Sequence, residues 1–557
     1  MIVFALIVLG MASWLPRMHG PLDLRWDSGS YYILGTSLAE GKGYRLLNEP
    51  GNIEAVQYPP LLPWMVAVHQ RLLGTSDPMV VGRWLRVSFF LMFMAYTVAS
   101  YALLERFLPI SYAFVAVVIS GLHLFAMFLS DLLSPELPFA LVSVLFVLCN
   151  GRTGGRISPF LAGAFAIMSY LLRAAGVTLL FAWVGESLLQ RNFRRAAVRC
   201  LVAIVPIVGW HAYIAQVQAS TSYANPSYPY QRADYLFYNV SYASNLSLRD
   251  PFRPELGKVS SADILHRVLG NVTRIPRSLG EAISADRGYW RGLLLARLPG
   301  VRSFDPGGYL TTTLLLSVLG AVIIGGLVLQ LARRQWVTAL YVIAYIGTVS
   351  LTPWPLQWMR YWWPLTPFLL LALLQGCLAL RDVLRSALPS PINRVVTGFP
   401  AVLLGVVLLV ESLTVVDVYG KARGDVVLLD GQGRPVRFRL FFYDKAYREL
   451  DEALTWLRAR TRPGDVIAVA MPHWAYLVAH AKTVMPPFES DPVKAQALLD
   501  AVPVRYVVLD DTGIDVARLM HRSTARVFEA FPARWQEVYS GPSGRVAIYE
   551  RQGRSGG

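Results

Sequence analysis

The fold of this chain of 557 residues depends on residues 158–190, which read SPFLAGAFAIMSYLLRAAGVTLLFAWVGESLLQ. The segment is largely apolar, and Arg173-Ala-Ala-Gly176 interrupts it near the centre. It is therefore either one long helix or a helical hairpin. Short loops rich in basic residues stay in the cytoplasm, so basic loops at both ends require an even number of membrane crossings. The flanking residues, which predict a hairpin, are Arg152, Arg156, Arg191, Arg194, Arg195 and Arg199.

The composition of the whole chain is that of a polytopic membrane protein. Hydrophobic residues make up 54% and charged residues only 16%, whereas soluble proteins carry about 25% charged residues. The charge deficit is concentrated in long apolar runs, which predict an α-helical membrane protein with about 11 transmembrane helices. These runs are 1–16, 87–105, 111–129, 137–149, 158–172, 174–190, 199–217, 309–332, 335–352, 361–380 and 396–418.

Residues 1–16 are short for a membrane span, and they lack the basic residues that begin a signal peptide. We interpret them as the first membrane helix, with a cleaved signal as the alternative. If residues 158–190 form a hairpin, counting the spans places the other basic loops in the cytoplasm too, as their charge predicts. These loops hold Arg333, Arg334, Arg381, Arg385 and Arg394. We expect a multi-pass protein of the plasma (inner) membrane, with a cytoplasmic N-terminus and an extracytoplasmic or periplasmic C-terminus. The net charge of +16 reflects these loops and predicts no nucleic-acid partner.

This topology places four connections on the outer face: loop 17–86, turn 130–136, loop 218–308 and turn 352–360. Ionisable residues at membrane depth are costly and usually functional. Five of them gather on this one side, namely Asp27, Asp131, Glu136, Arg173 and Arg360. The three cysteines show no metal-ligand spacing and predict no disulfide framework.

The first outer loop contains two predicted helices. Asp27 or Ser28 is expected to cap a helix that runs to about Glu40, with Tyr31 on the same face as Asp27. Residues 57–64 hold consecutive prolines followed by apolar residues, which favours an interfacial or re-entrant helix. Loop 218–308 is long and rich in aromatic residues near 223–242, so we expect an ordered lid or acceptor surface rather than a tail.

Charged residues return after about residue 419. We expect a membrane domain over 1–418 and an extracytoplasmic α/β domain over 419–557. The pattern predicts helices at 443–460 and 491–501, short buried strands at 466–470 and 505–509, and a closing hairpin of strands 535–539 and 545–549. No glycine-rich phosphate-binding motif accompanies them. His473 and His480 in this tail are interpreted as ordinary surface or core histidines.

Several motifs occur in a characteristic order: Asp27-x-x-x-Tyr31, Ala39-Glu-Gly-Lys-Gly-Tyr44, Tyr58-Pro-Pro-Leu61, the acidic turn Asp131–Glu136, and Arg360 before Tyr361-Trp-Trp-Pro-Leu-Thr-Pro367. Together with the topology, they resemble the GT-C superfamily of integral-membrane glycosyltransferases. The resemblance covers about residues 1–420. It is greatest to the bacterial branch that includes protein O-mannosyltransferases and aminoarabinose lipid A transferases.

The resemblance implies inverting transfer of a hexose or pentose from a polyprenyl-phosphate-linked donor to a hydroxyl of a glycan, lipid or protein. The catalytic acid of the family falls on Asp27, and a carboxylate suits the removal of a proton from the attacking hydroxyl. Cationic residues would stabilise the departing phosphate, and the candidates are Arg173, Arg360, Lys42 and Arg83. The candidate substrate-binding residues are Tyr31, Tyr58, Asp131 and Glu136.

The sequence departs from the family at Ser28, where many relatives carry a second acid. Some relatives bind a divalent metal near the first loops, so a metal is possible here. No cluster of ligands predicts one, although Glu40, Glu49 and Glu54 are available. No other cofactor is predicted.

Alternatives remain at this point. Asp27 is otherwise a simple helix cap, and Asp131 and Glu136 are otherwise solvated turn residues. A transporter or flippase of lipid-linked saccharides is one competing function, favoured by the break at Arg173. However, the chain shows no internal repeat, and its charges gather at one face instead of the midplane. A non-catalytic envelope assembly subunit, whose outer domain binds a partner, is another.

Overall fold

The structure, a computed structural model, describes residues 1–151, 157–387, 390–421, 425–513 and 515–553. Arg152 and Arg156, which entered the hairpin prediction, lie outside the described residues, as does the side chain of Arg394. Most of the described chain is helical, and the strands are confined to its C-terminal part.

In the described part of the chain, ten helices precede the long outer loop. They are α1 (Ile2–Trp14), α2 (Asp27–Ala39), α3 (Leu61–Leu73), α4 (Pro78–Leu104), α5 (Ile110–Leu122), α6 (Leu124–Asp131), α7 (Glu136–Asn150), α8 (Ile157–Leu172), α9 (Val177–Leu189) and α10 (Phe193–Gln218). Short 3₁₀ helices cover Leu15–Arg17 and Ala174–Gly176. The predicted helix that starts at Asp27 is therefore present, and the predicted segment 57–64 leads into α3.

The long loop is folded into short helices, as its aromatic content indicated. These are α11 (Thr221–Ala224), α12 (Tyr242–Leu246), α13 (Ser261–Val272), α14 (Ile275–Ala282), α15 (Arg287–Arg297) and α16 (Pro299–Phe304), with a 3₁₀ turn at Pro254–Leu256. The remaining membrane-domain helices are α17 (Tyr309–Ala332), α18 (Trp336–Ser350), α19 (Trp358–Trp362), α20 (Thr366–Ala387) and α21 (Ser390–Lys421), with 3₁₀ turns at Pro355–Gln357 and Trp363–Leu365.

Within the described residues, five helices are long and apolar enough to cross a membrane, and the pair α5–α6, bent by 50°, makes a sixth. Five further apolar helices are shorter. The chain is therefore a multi-pass membrane protein. The count of 11 spans and the orientation of the termini stay predictions.

Residues 158–190 are not one continuous helix. α8 ends at Leu172, Arg173 adopts an extended backbone conformation (φ −147°, ψ 138°), and α9 begins at Val177. Gly176 makes this break possible, because a Cβ there would lie 2.4 Å from the backbone of Ser169. The predicted interruption at Arg173–Gly176 is confirmed.

The described residues of the tail form two sheets. Strands β1 (Val426–Leu429) and β2 (Pro435–Phe438) form an antiparallel pair. A five-stranded sheet has the order β4-β3-β5-β7-β6 and consists of β3 (Val466–Ala468), β4 (Lys482–Val484), β5 (Val504–Asp510), β6 (Trp535–Ser540) and β7 (Val546–Arg551). β3 is parallel to β4 and β5, whereas the β5–β7 and β6–β7 pairs are antiparallel. Its helices are α22 (Lys445–Arg458), α23 (Pro472–Ala479), α24 (Pro492–Asp500) and α25 (Asp515–Ala530).

The predicted tail helices at 443–460 and 491–501, the two buried strands and the closing hairpin are present as α22, α24, β3, β5 and β6–β7. The prediction missed α23, α25, β4 and the β1–β2 pair. Strands of three or four residues are too short to show a clear alternation of apolar and polar positions. The division of the chain at 418/419 stays a prediction.

The tail packs against the first outer loop through buried polar contacts. Thr483 N donates to Asn48 O at 2.9 Å, and Lys482 Nζ donates to Leu47 O at 2.5 Å. Arg25, which lies only two residues before Asp27, forms a buried ion pair with Asp451 of α22. The tail therefore helps to place the segment that carries Asp27.

Candidate active site

Asp27 is the first residue of α2, but neither it nor Ser28 caps that helix. The cap position is Trp26, whose φ is 54°, and no side-chain hydrogen bond caps the helix. The predicted capping role is therefore wrong. The Asp27 carboxylate instead accepts hydrogen bonds from Arg360 Nη1 at 2.7 Å and from the Tyr238 hydroxyl at 3.2 Å.

Glu136 is the buried centre of this charge cluster. Its Oε1 accepts a hydrogen bond from Arg360 Nε at 2.5 Å and lies 3.5 Å from Arg173 Nη1. The Glu136 side chain is fully buried, so the alternative of a solvated turn residue does not hold. Glu136 holds two guanidinium groups on one side of Asp27, and buried charges of this kind need such partners.

Arg173 lies at the break between α8 and α9. Its guanidinium sits 5.3 Å from the ring centroid of Tyr361 and 5.8 Å from that of Phe139. Among the described residues, Arg173 Nη1 has no hydrogen-bond partner. A buried guanidinium with an unused donor is suited to an anion, because Arg binds phosphate through its planar fork.

Asp27, Arg173 and Arg360 line one cavity of about 410 Å³. Tyr31 and Tyr58 line it as well, with ring centroids 4.6 Å apart. Burial raises the pKa of both phenols well above the usual tyrosine value, so both remain protonated donors. The rest of the wall is largely apolar and includes Tyr170, Leu172, Ile207, Phe237, Phe252, Tyr345, Val349 and Leu351.

Three predicted site residues lie elsewhere. Lys42 is exposed, pairs with Glu40 at 2.6 Å, and lines a separate cavity of about 580 Å³ between α2 and the tail. Arg83 is exposed on α4 and does not line the Asp27 cavity. Asp131 is buried away from that cavity too. The structure therefore does not bring these three side chains to Asp27.

Asp131 joins three parts of the chain. Its Oδ1 accepts hydrogen bonds from Arg17 at 2.6 Å and Arg86 at 2.8 Å, and its Oδ2 accepts one from Phe441 N at 2.5 Å. The two arginines are almost fully buried. The alternative of a solvated turn residue is therefore also wrong for Asp131, which neutralises two buried guanidinium groups.

We expect Asp131→Asn to destabilise the protein strongly, because it leaves Arg17 and Arg86 buried without a counter-charge. Breaking a buried ion pair by removing one partner costs about 3–5 kcal/mol. Thermal unfolding of the purified protein in detergent measures the effect. Asp382→Asn removes an exposed carboxylate paired with Arg381 and should change stability by less than about 1 kcal/mol. Equal stability of the two variants would contradict the role of Asp131.

Several residues at the site were not predicted from the sequence to belong to it. Tyr238 bonds Asp27 directly, and Tyr242, His211 and Tyr361 line the cavity. The aromatic stretch at 223–242 was a signal for an ordered segment, but its spacing did not show which ring would reach Asp27. Contact between residues 211 positions apart depends on tertiary packing.

The residues present do not fit a divalent cation at Asp27. Asp27 and Glu136 both face Arg360, and no group of three His, Cys, Asp or Glu side chains suited to a metal occurs among the described residues. The three available glutamates are engaged elsewhere: Glu40 with Lys42, Glu49 with Tyr228 and Gln231, and Glu54 with Arg45.

No protein-family model and no curated protein matches this sequence. The fold, in contrast, is similar to that of the oligosaccharyltransferase of Archaeoglobus fulgidus in complex with zinc and sulfate. The TM-score is 0.52 at 12% identity, over 99% of this chain and 73% of the archaeal one. This chain therefore shares the fold of that archaeal protein.

Two further structures were solved with lipid phosphates. Oligosaccharyltransferase AglB from A. fulgidus, in complex with an inhibitory peptide and a dolichol-phosphate, gives a TM-score of 0.50 at 12% identity, over 99% of this chain and 74% of its own. ArnT from Cupriavidus metallidurans, bound to undecaprenyl phosphate, gives 0.47 at 15% identity, over 98% and 97%. At 12% identity the likeness to the two archaeal structures concerns the fold alone, and the function has to be inferred from the site.

Proposed function

We propose that this GT-C protein is an inverting glycosyltransferase that moves a sugar from a polyprenyl-phosphate-linked donor to an acceptor hydroxyl. One observation carries the proposal: Asp27 shares a largely apolar cavity with Arg173 and Arg360. A base for the acceptor and cations for a departing phosphate are the two charged functions that such a transfer needs.

In the proposed reaction the acceptor oxygen attacks the anomeric carbon while Asp27 takes the proton from that oxygen. The bond from the anomeric carbon to the phosphate oxygen breaks, and its electron pair leaves with the polyprenyl phosphate. Attack and departure on opposite faces of the sugar invert the anomeric centre. Arg173 and Arg360 stabilise the charge that grows on the phosphate.

In the proposed reaction, binding of the donor releases the Asp27 carboxylate from its hydrogen bond to Arg360. Arg360 Nη1 bonds the Asp27 carboxylate at 2.7 Å, while Nη1 of Arg173 has no hydrogen-bond partner among the described residues. A donor phosphate would bind Arg173 and compete with Asp27 for Arg360. Glu136, fully buried beneath both arginines, keeps them in place during the exchange.

The apolar wall suits an isoprenoid carrier, because the polyprenyl chain is a hydrocarbon without polar groups. Leu172, Ile207 and Val349 contribute to this wall from three different helices, α8, α10 and α18. AglB, which shares the GT-C fold, was solved with dolichol-phosphate. We propose a donor of the same chemical class for this chain, bound at the outer face of the plasma membrane. The acceptor is a glycan, a lipid or a protein.

The function is tested with purified protein and a panel of polyprenyl-phosphate sugars. We expect release of polyprenyl phosphate and the addition of one sugar to a membrane or envelope acceptor, detected by mass spectrometry. Comparing envelope glycans with and without the protein then identifies donor and acceptor together. Movement of the donor lipid across vesicles without any transfer would overturn the proposal in favour of a flippase.

A further inference from the structure

Tyr238 contacts the Asp27 carboxylate but does not line the cavity. Its hydroxyl donates to Asp27 Oδ1 at 3.2 Å, on the side opposite to the Arg360 contact at Oδ2. Burial, and next the charge of Asp27, raise the pKa of Tyr238 well above the usual tyrosine value. The hydroxyl therefore stays protonated, and it supports the ionised form of Asp27 by donating a hydrogen bond to the carboxylate.

The ring of Tyr238 is held by His473 from the tail helix α23. The two ring centroids lie 4.4 Å apart in an edge-to-face arrangement of 83°, and Phe237 packs on Tyr238 at 4.4 Å. His473 is 1% exposed, and neither ring nitrogen has a hydrogen-bond partner among the described residues. Burial lowers its pKa to about 3, so it packs as a neutral ring. A buried polar ring without partners is unusual and calls for an explanation.

The first turn of α2 is shaped to accept this histidine. A Cβ on Gly29 would lie 2.8 Å from the Cβ of His473 and 2.9 Å from Leu24 O, so a larger residue would push α23 away. The tail also holds the chain just before α2, where Arg25 pairs with Asp23 at 2.8 Å and with Asp451. Asp27 thus lies between two contacts with the tail, one at Arg25 and one at Gly29.

We infer that Tyr238 is a positioning residue for Asp27 and that the tail, through His473, holds its hydroxyl against the carboxylate. This inference rests on the proposed function and extends it, because it makes the tail a part of the active site. The hydrogen bond stabilises the ionised carboxylate and keeps Oδ2 directed towards Arg360. The tail therefore sets the orientation of the proposed base and keeps a hydrogen-bond donor at its carboxylate.

Other ionisable groups also surround Asp27, and they act on its carboxylate together with the hydrogen bond from Tyr238. α2 itself contributes Tyr31, and the remaining groups come from the first outer loop, the long outer loop, α7, the α8–α9 break, α19 and α23. They are Tyr58, Tyr242, Glu136, Arg173, Arg360, Tyr361 and His473. Tyr238→Phe removes one hydroxyl and leaves all of these in place.

The test is the pH dependence of kcat/KM for Tyr238→Phe, because this profile reports the essential base of the free enzyme. A hydrogen bond donated to a carboxylate favours its ionised form, so losing the Tyr238 hydroxyl disfavours that form. We expect the acidic limb to move upward by about 0.5–1 pH unit, with KM for the donor unchanged. Tyr230→Phe is the matched control, because Tyr230 is equally buried in the same loop and its hydroxyl donates to Met485 O of the tail at 3.3 Å.

An acidic limb in Tyr238→Phe that coincides with those of the wild type and Tyr230→Phe would overturn the inference. If Tyr238→Phe does not fold, His473→Leu is measured in its place. This variant keeps the Tyr238 hydroxyl but removes the ring that packs against Tyr238. For His473→Leu, the same upward shift of the acidic limb supports the inference, and an unchanged pH profile overturns it. An inactive Asp27→Asn with an unshifted Tyr238→Phe rejects the positioning role alone, whereas a fully active Asp27→Asn rejects the proposed base as well.

Discussion

Asp27→Asn is expected to abolish sugar transfer while leaving the protein folded. The amide has the shape of the carboxylate but cannot take a proton from an acceptor hydroxyl at neutral pH. A positioned general base contributes about 100-fold to 10,000-fold to a rate, and we expect a loss of kcat in this range or beyond. Arg360 keeps its bond of 2.5 Å to Glu136, so the cluster should remain assembled. Initial rates of polyprenyl phosphate release measure the effect.

Asp286→Asn is the matched control for this variant. Asp286 is an exposed carboxylate of the long outer loop that caps α15, where its Oδ1 accepts from Gly288 N at 2.7 Å. Asparagine is about as good an N-cap as aspartate, so neither stability nor transfer should change. Thermal unfolding confirms that both proteins are folded. If Asp27→Asn transferred sugar as fast as Asp286→Asn, Asp27 would not be the base.

Arg360→Met is expected to lower both stability and transfer. It leaves Glu136 fully buried with only Arg173 nearby, at 3.5 Å. Removing one partner of a buried ion pair costs about 3–5 kcal/mol, and the remaining Arg173 offsets part of this cost. It also removes a cation from the proposed phosphate site, and loss of one donor to a developing anion lowers kcat by about 100-fold to 1,000-fold. Thermal unfolding in detergent and transfer rates measure the two effects separately.

The double variant Arg360→Met/Glu136→Gln separates the structural effect from the catalytic one. Glu136→Gln removes the buried charge at position 136 but also the carboxylate 3.5 Å from Arg173, so we expect part of the stability to return while transfer stays low. Arg253→Met serves as a control, since its pair with Glu255 is more than half exposed and such pairs contribute about 0–1 kcal/mol. Recovery of transfer together with stability would show that Arg360 has a structural role and no catalytic one.

Much of the architecture is visible in the sequence because it depends on local order. The break at Arg173–Gly176 follows from a charged residue and a glycine within an apolar run, and α2 ends beside Glu40, where its end was predicted. The tail hairpin β6–β7 surrounds its predicted turn. The Arg-rich loops predict that Asp27, Glu136, Arg173 and Arg360 face the same side, and the structure places these four side chains together.

The sequence by itself determined the helical membrane class, the elements of the first outer loop and the acid around which the site is built. These properties depend on hydrophobic periodicity and on the charge of short loops, which neighbouring residues set. Only the tertiary structure decided which charges meet. It joined Arg360 to Asp27 across 333 positions, buried Asp131 between two arginines, left Lys42 and Arg83 outside, and brought Tyr238 and His473 to the carboxylate. Pairing of this kind depends on the packing of distant helices and of the tail, because a buried charge is stable only where packing supplies its partner.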